Sequence, residues 1–134
     1  METFEILVLS LSGLALFYAS SMRLIYPVKA HFLQTYLAKP HNELNRDQDL
    51  VNEIRGVGAV MLLAGIIILL GTVVPNLRTI SFVVATTIFL GVALGRLISF
   101  GLDGPPSPAV VRGTSAEMLL STLNIFCLAS CHII

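Results

Sequence analysis

The sequence predicts an all-α membrane protein: an antiparallel bundle of four transmembrane helices, with a short interfacial amphipathic helix in the first loop. Three observations carry that prediction. Of 134 residues, 55% are hydrophobic and only 12% charged, whereas a water-soluble domain carries about a quarter charged residues. The apolar residues gather into four runs, at about 4–22, 50–74, 80–100 and 116–134, each near the roughly 20 residues that cross a bilayer. Between the runs lie turn-rich or charge-rich links. A single domain, 1–134, is all that this length accommodates.

The first run opens after Glu2 and Glu5 rather than after the basic residues of a secretory leader, so an uncleaved span is expected. Ser12, Ala15 and Ala19 give it a face of small side chains, and Arg23 ends it. In the link that follows, Phe32, Leu33, Tyr36 and Leu37 recur at helical spacing with Lys29, His31, Gln34 and Lys39 between them. An amphipathic helix lying in the interface fits this pattern. An ordered loop is the alternative, because so short a helix is marginal in isolation.

The second helix is expected to begin near Asp47, to carry Glu53 and Arg55, and to run apolar from Val57 to Val74. Gly58, Gly65 and Thr72 recur along it every seven residues, as a seam of small groups. Only the VPNLRT link, centred on Pro75-Asn76, separates it from the third helix, so the two must be antiparallel neighbours. On the third helix Thr87, Gly91, Gly95 and Ser99 fall at every fourth position. Such a face lets another helix approach closely in lipid, where packing drives association. Asp103-Gly104-Pro105-Pro106 is a turn. Thr114-Ser115-Ala116-Glu117 then reads as a capping box opening the fourth helix.

Orientation follows from the basic residues. Arg23, Lys29, Lys39, Arg46, Arg55, Arg96 and Arg112 fall on the side of loops one and three, and only Arg78 lies opposite. The positive-inside rule then puts those loops in the cytoplasm and both termini outside, in a bacterial inner membrane.

That arrangement brings Glu53, Arg55, Arg96 and Glu117 to one depth at the cytoplasmic helix ends. Arg96 paired with Glu117 and Glu53 would form a collar locking three helices. The same collar could rim a cavity for an anionic headgroup or small ligand, and a third reading leaves Glu117 as a helix cap alone. Ser121 and Asn124 follow Glu117 on one face, with Asn124 roughly 10 Å deeper at about 1.5 Å per residue. An amide at that depth needs partners, either across a helix interface or from a ligand at the floor of a funnel. Cys127, Cys131 and His132 have three residues between the cysteines where haem attachment needs two, and a soft metal would lack a fourth ligand. No metal or cofactor is therefore assigned. The chain has no phosphate-cradling glycine loop, HExxH or nucleophile elbow, which leaves catalysis open without a motif to carry it. Zero net charge without a basic stripe argues against nucleic acid as a partner.

Glu53-x-Arg55-Gly56-x-Gly58, Gly65, Leu94-Gly95-Arg96-Leu97, Asp103-Gly104-Pro105 and Glu117 together resemble a bacterial domain-of-unknown-function family of small four-helix membrane proteins, related to the DoxX/DoxD-like group. The resemblance implies a four-helix membrane fold. DoxX-like relatives include proteins tied to quinone-linked oxidation and to membrane-protein chaperoning. Three functions are consistent with these features. The first is an accessory or structural protein that docks on a larger membrane complex, on lipid or on a second copy through its glycine-rich faces. The second is a binding protein or carrier for a lipid or a small hydrophobic, quinone-like ligand in a cytoplasm-facing funnel. The third is a cofactor-free subunit of a membrane redox enzyme.

Overall fold

A computed structural model describes residues 2–27 and 48–133, with side chains as far as Ser130. The interfacial helix expected in the first loop lies outside the described residues. Four helices are described: α1 (Glu2–Ile25), α2 (Gln48–Val73), α3 (Arg78–Leu102) and α4 (Pro108–Ile133), with one 3-10 turn, Pro75–Leu77, between α2 and α3. No strand occurs among the described residues. Glu2–Ile25, Gln48–Val73 and Pro75–Leu102 are long and apolar enough to cross a membrane. The chain is an all-helical membrane protein.

Every helix is longer than the apolar run that announces it, and α4 departs most. It starts at Pro108 rather than near residue 116. Proline is suited to the first helical position, where its missing N–H would have no partner anyway. The Ser107 carbonyl accepts from the backbone N–H groups of Val110 (3.0 Å) and Val111 (3.1 Å), which closes the first turn. The capping box expected at Thr114–Glu117 does not form. Thr114 is buried inside the helix, and its Oγ1 donates to the Val110 carbonyl at 2.9 Å. Its hydroxyl is thus turned back onto the preceding turn, and Glu117 sits well inside α4 instead of at its head.

The turn after α3 is built from the expected residues. The Asp103 N–H donates to the Ser99 carbonyl at 2.8 Å, and Gly104 takes a left-handed conformation with φ +103°. Glycine enters that region without a Cβ clash, and Pro105 cannot continue the helix. Ser99 serves this turn as well: its Oγ donates to Asp103 Oδ2 at 2.7 Å. Its role here is closing a helix end, not the interhelical packing expected of it.

The helices pack chiefly as two pairs, α1 on α2 and α3 on α4, with further contact between α2 and α3. Lipid tails are as apolar as leucine, so close backbone approach at small residues has to hold the pairs together. A Cβ on Gly58 would stand 3.0 Å from Arg23 Cβ, and one on Gly65 would stand 3.4 Å from the Phe17 nitrogen. Those two glycines of the sevenfold seam therefore bring α2 against α1. Between α2 and α3 the close point is Gly71 against Ser81, whose fully buried hydroxyl donates to the Ile67 carbonyl at 2.8 Å. Leu9, Leu16, Ile68, Phe82 and Ala85 fill the interior, while Leu7, Leu11, Leu14 and Leu63 face outward.

Gly91 and Gly95 do not join this packing. Both are exposed, and a Cβ at either would meet nothing within 4 Å. The inward face of α3 is occupied by Ser81, Phe82, Ala85, Phe89 and Ala93, which turns the glycine stripe outward.

Two contacts fix which ends lie together. Arg78 Nη1 is 3.3 Å from Glu2 Oε1 and 3.6 Å from Glu5 Oε2. The Phe4 and Phe126 rings meet edge to face with centroids 6.4 Å apart. The start of α1, the α2–α3 link and the later turns of α4 therefore share one end, and Arg23, Arg96 and Glu117 occupy the other.

Candidate functional site: a charged-mouth cleft

Arg96 continues the inward stripe of α3. It lies three residues after Ala93 and seven after Phe89, both buried, so its side chain leaves the helix toward the bundle. There its Nη1 comes 3.0 Å from Glu117 Oε2, with the two side chains 22% and 17% exposed. Among the described residues Glu117 Oε2 accepts no hydrogen bond, so the pair attracts as charges without an aligned N–H. Gly113, one turn before Glu117 on α4, leaves room for the guanidinium: a Cβ there would stand 3.0 Å from Arg96 Nη1.

The third charge comes from α1, at a residue that the sequence marks only as the end of a span. Arg23 Nη1 donates to the Ala19 carbonyl at 3.0 Å, which holds the guanidinium over the last turns of α1. It lies within electrostatic reach of both Arg96 and Glu117. Two cations and one anion therefore meet at this end of the bundle.

Glu53 and Arg55 stay apart from them. Both are exposed, and among the described residues neither forms an ion pair, so the expected Glu53–Arg96 contact is absent. Helix geometry explains it. Glu53 lies eighteen residues before Gly71, about five full turns and hence on the same face. At Gly71 that face touches α3. At Glu53 the two helices have separated, and the carboxylate borders a groove instead.

Between the helices at this end is a cleft of about 170 Å³, walled by residues of all four. Among the described residues Arg23 and Glu117 are its only charged lining residues, and Leu16, Met61, Phe89 and Leu120 are among those lining its depth. The groove beside it, about 460 Å³, runs between α2 and α3 past Asn52, Glu53, Val57 and Val60. Met61, Ile88 and Val92 line both.

Ser121 and Asn124 are buried but do not line the cleft; Asn124 lies one turn beyond Leu120. Asn124 Nδ2 donates to Ser12 Oγ at 2.8 Å, joining α4 to α1, and to the Leu120 carbonyl at 2.7 Å. Asn124 Oδ1 and Ser121 Oγ have no hydrogen-bond partner among the described residues. Asn124→Leu is expected to lower unfolding stability in detergent by about 1 kcal/mol, the usual scale of an interhelical hydrogen bond in a membrane. Ser12→Ala should cost a similar amount, and the double variant little more than either, which a double-mutant cycle measures.

Cys127 is buried. Among the described residues no group of three His, Cys, Asp or Glu side chains is placed to hold a metal ion.

No curated protein and no solved structure matches the chain. Residues 5–128 match the family described as a domain of unknown function, DUF4345. That match spans nearly the whole chain, from the buried Glu5 through Arg23, Arg96 and Glu117 to the residue after Cys127, and the chain belongs to the DUF4345 family.

Proposed function

We propose that the protein binds a small amphiphilic molecule, of lipid or quinone-like character, with its polar end among Arg23, Arg96 and Glu117. The observation that carries this reading is the lining of the cleft: four helices contribute to it, and among the described residues its charges, Arg23 and Glu117, sit at the mouth above an apolar interior. Ionisable groups inside a membrane span are costly, and where they persist they commonly mark a pathway or a ligand site.

In the membrane frame that goes with this proposal, α4 is the fourth span and loops one and three are cytoplasmic, by their excess of lysine and arginine. The cleft then opens at the cytoplasmic leaflet of a bacterial inner membrane. A relation to DoxX-like proteins, some of them tied to quinone-linked oxidation, fits the same class of ligand. Binding or carriage needs no catalytic group.

The test is native mass spectrometry of the protein purified in mild detergent, with extraction of whatever is bound. Wild type should retain a non-protein mass, and Ala116→Phe, which places a ring in the cleft wall, should lose it while the fold persists by circular dichroism. Wild type carrying no small molecule, in native spectra and in lipid extracts alike, overturns the proposal.

A second reading rests on a separate observation, the outward stripe of Gly91 and Gly95 with open space before both. It could seat a helix of a larger membrane complex, of a redox enzyme to which this chain contributes no cofactor, or of a second copy. Gly91→Leu should then abolish co-purification with that partner and leave the cleft ligand bound.

A further inference from the structure

Ser121 and Asn124 stand one turn apart on one face of α4, enclosed at 2% and 0% exposed. Each keeps an oxygen without a hydrogen-bond partner among the described residues. A helical hydroxyl has a local remedy, which is to donate to the carbonyl four residues earlier. Thr114, Ser115, Thr122 and Ser130 of α4 all take it, at 2.8–2.9 Å. Ser121 makes no such bond, although it is more deeply buried than any of them. Its hydroxyl is turned away from the backbone of its own helix.

The Asn124 oxygen is fixed by the nitrogen beside it. Nδ2 reaches the Leu120 carbonyl at 2.7 Å and Ser12 Oγ at 2.8 Å. A carbonyl only accepts, so the atom facing Leu120 has to be the nitrogen, and the amide cannot be turned over. Both N–H groups are then in use. Oδ1 accepts and never donates, so what it needs is a donor. Left bare in an apolar interior, it forfeits its hydration and regains nothing.

Three kinds of occupant supply what these oxygens need. A cation would require several more oxygens and a carboxylate to balance it, and Glu117, the sole carboxylate of α4, is held 3.0 Å from Arg96. A polar group of a molecule in the cleft would have to pass Leu16 and Leu120, which line the cleft where Ser121 and Asn124 do not. A water molecule fits. It has two protons and two lone pairs, enough to donate to Asn124 Oδ1 and to donate to or accept from the Ser121 hydroxyl. Buried waters typically make two to four bonds of this kind.

We infer that a buried water molecule bridges Asn124 Oδ1 and Ser121 Oγ, and that it is a structural part of the seam between α4 and α1. The water holds the amide from its oxygen side, so that Nδ2 stays aimed across the seam at Ser12. This goes beyond the reading of the cleft as a ligand site and does not depend on it, because neither residue lines the cleft.

The test combines a double-mutant cycle with a map. For the full chain in detergent, Ser121→Ala should shift the folding equilibrium about threefold toward the unfolded form, the factor given by an average interhelical hydrogen bond in a membrane protein. Without the water, the same change would remove an unpaired buried hydroxyl and leave the equilibrium unchanged or shifted toward the folded form. In an Asn124→Leu background, where the water has lost its acceptor, Ser121→Ala should cause no loss. The better helix propensity of alanine acts in both backgrounds and cancels from the cycle. A crystal structure from lipidic mesophase should show an isolated density peak about 2.5–3.0 Å from both oxygens, absent in Asn124→Leu.

A neutral or stabilising Ser121→Ala in the wild-type background overturns the inference, as does a well-resolved map without the peak. Coupling of the two residues with the Ser121 hydroxyl bonded directly to Asn124 Oδ1 in the map replaces the water by a side-chain contact and overturns it too. Density continuous with a molecule in the cleft would assign the donor to that molecule instead, which overturns the water while supporting the ligand site.

Discussion

Gly71→Ala should be the most damaging single methyl group in the chain, lowering unfolding stability in detergent by about 2–3 kcal/mol. The position leaves no escape. A Cβ on Gly71 would land on the Ser81 hydroxyl and stand 2.5 Å from Ser81 Cβ. Rotating Ser81 cannot clear the second contact, because Cβ is fixed by the backbone. Moving the serine also breaks its hydrogen bond to the Ile67 carbonyl, leaving polar groups unpaired at a fully buried position. Gly13→Ala is a useful contrast. Its new methyl would meet Leu69 Cδ2 at 2.6 Å and Cγ at 2.7 Å, both beyond the Cβ of a half-buried side chain that can swing, so it should cost less. Gly91→Ala, with open space before it, should stay within about 1 kcal/mol of wild type, because alanine is the better helix former. If the clash is the cause, Ser81→Gly added to Gly71→Ala should restore part of the loss. A Gly71→Ala variant as stable as Gly91→Ala would mean that α2 and α3 are not in contact there.

The α2–α3 contact also shows where the sequence is readable and where it is not. A link as short as Pro75–Leu77 forces two helices to be neighbours, and that much follows from length alone. It says nothing of whether they stay together, and they do not. Glu53 and Gly71 lie on one face of α2, yet only Gly71 meets α3. Pairing Glu53 with Arg96 from sequence assumes parallel axes along the whole length.

Arg96 and Glu117 are readable for the opposite reason. They flank a tight turn, and helices leaving a tight turn remain close over the next few residues. The start of α4 misleads because Thr114-Ser115-Ala116-Glu117 imitates a cap, while the helix opens at Pro108 with its first turn closed on the Ser107 carbonyl. Arg23 looks from sequence like the end of a span and nothing more. Its place in the site depends on Gly58 drawing α2 against α1 at that level, a contact between distant segments that no local pattern announces. The glycine stripe on α3 is plain in the sequence, but spacing alone does not tell a face that packs inside the chain from one turned outward.

The second large effect concerns the three charges. Glu117→Gln is expected to destabilise the protein by about 2–3 kcal/mol in detergent and Arg96→Gln by about 1 kcal/mol. The two changes remove the same 3.0 Å pair, so a simple ion-pair account predicts equal losses. The inequality comes from Arg23. When Arg96 is neutralised, Glu117 still has a cation within reach. When Glu117 is neutralised, its attraction for both arginines is lost while the repulsion between Arg23 and Arg96 stays. Breaking a fully buried pair costs about 3–5 kcal/mol. The smaller figure applies here because these side chains are 22% and 17% exposed and water screens them in part. The double variant Arg96→Gln/Glu117→Gln should be more stable than Glu117→Gln alone, since it removes one of the two opposed cations. Equal losses in the two single variants would show that Arg23 takes no part.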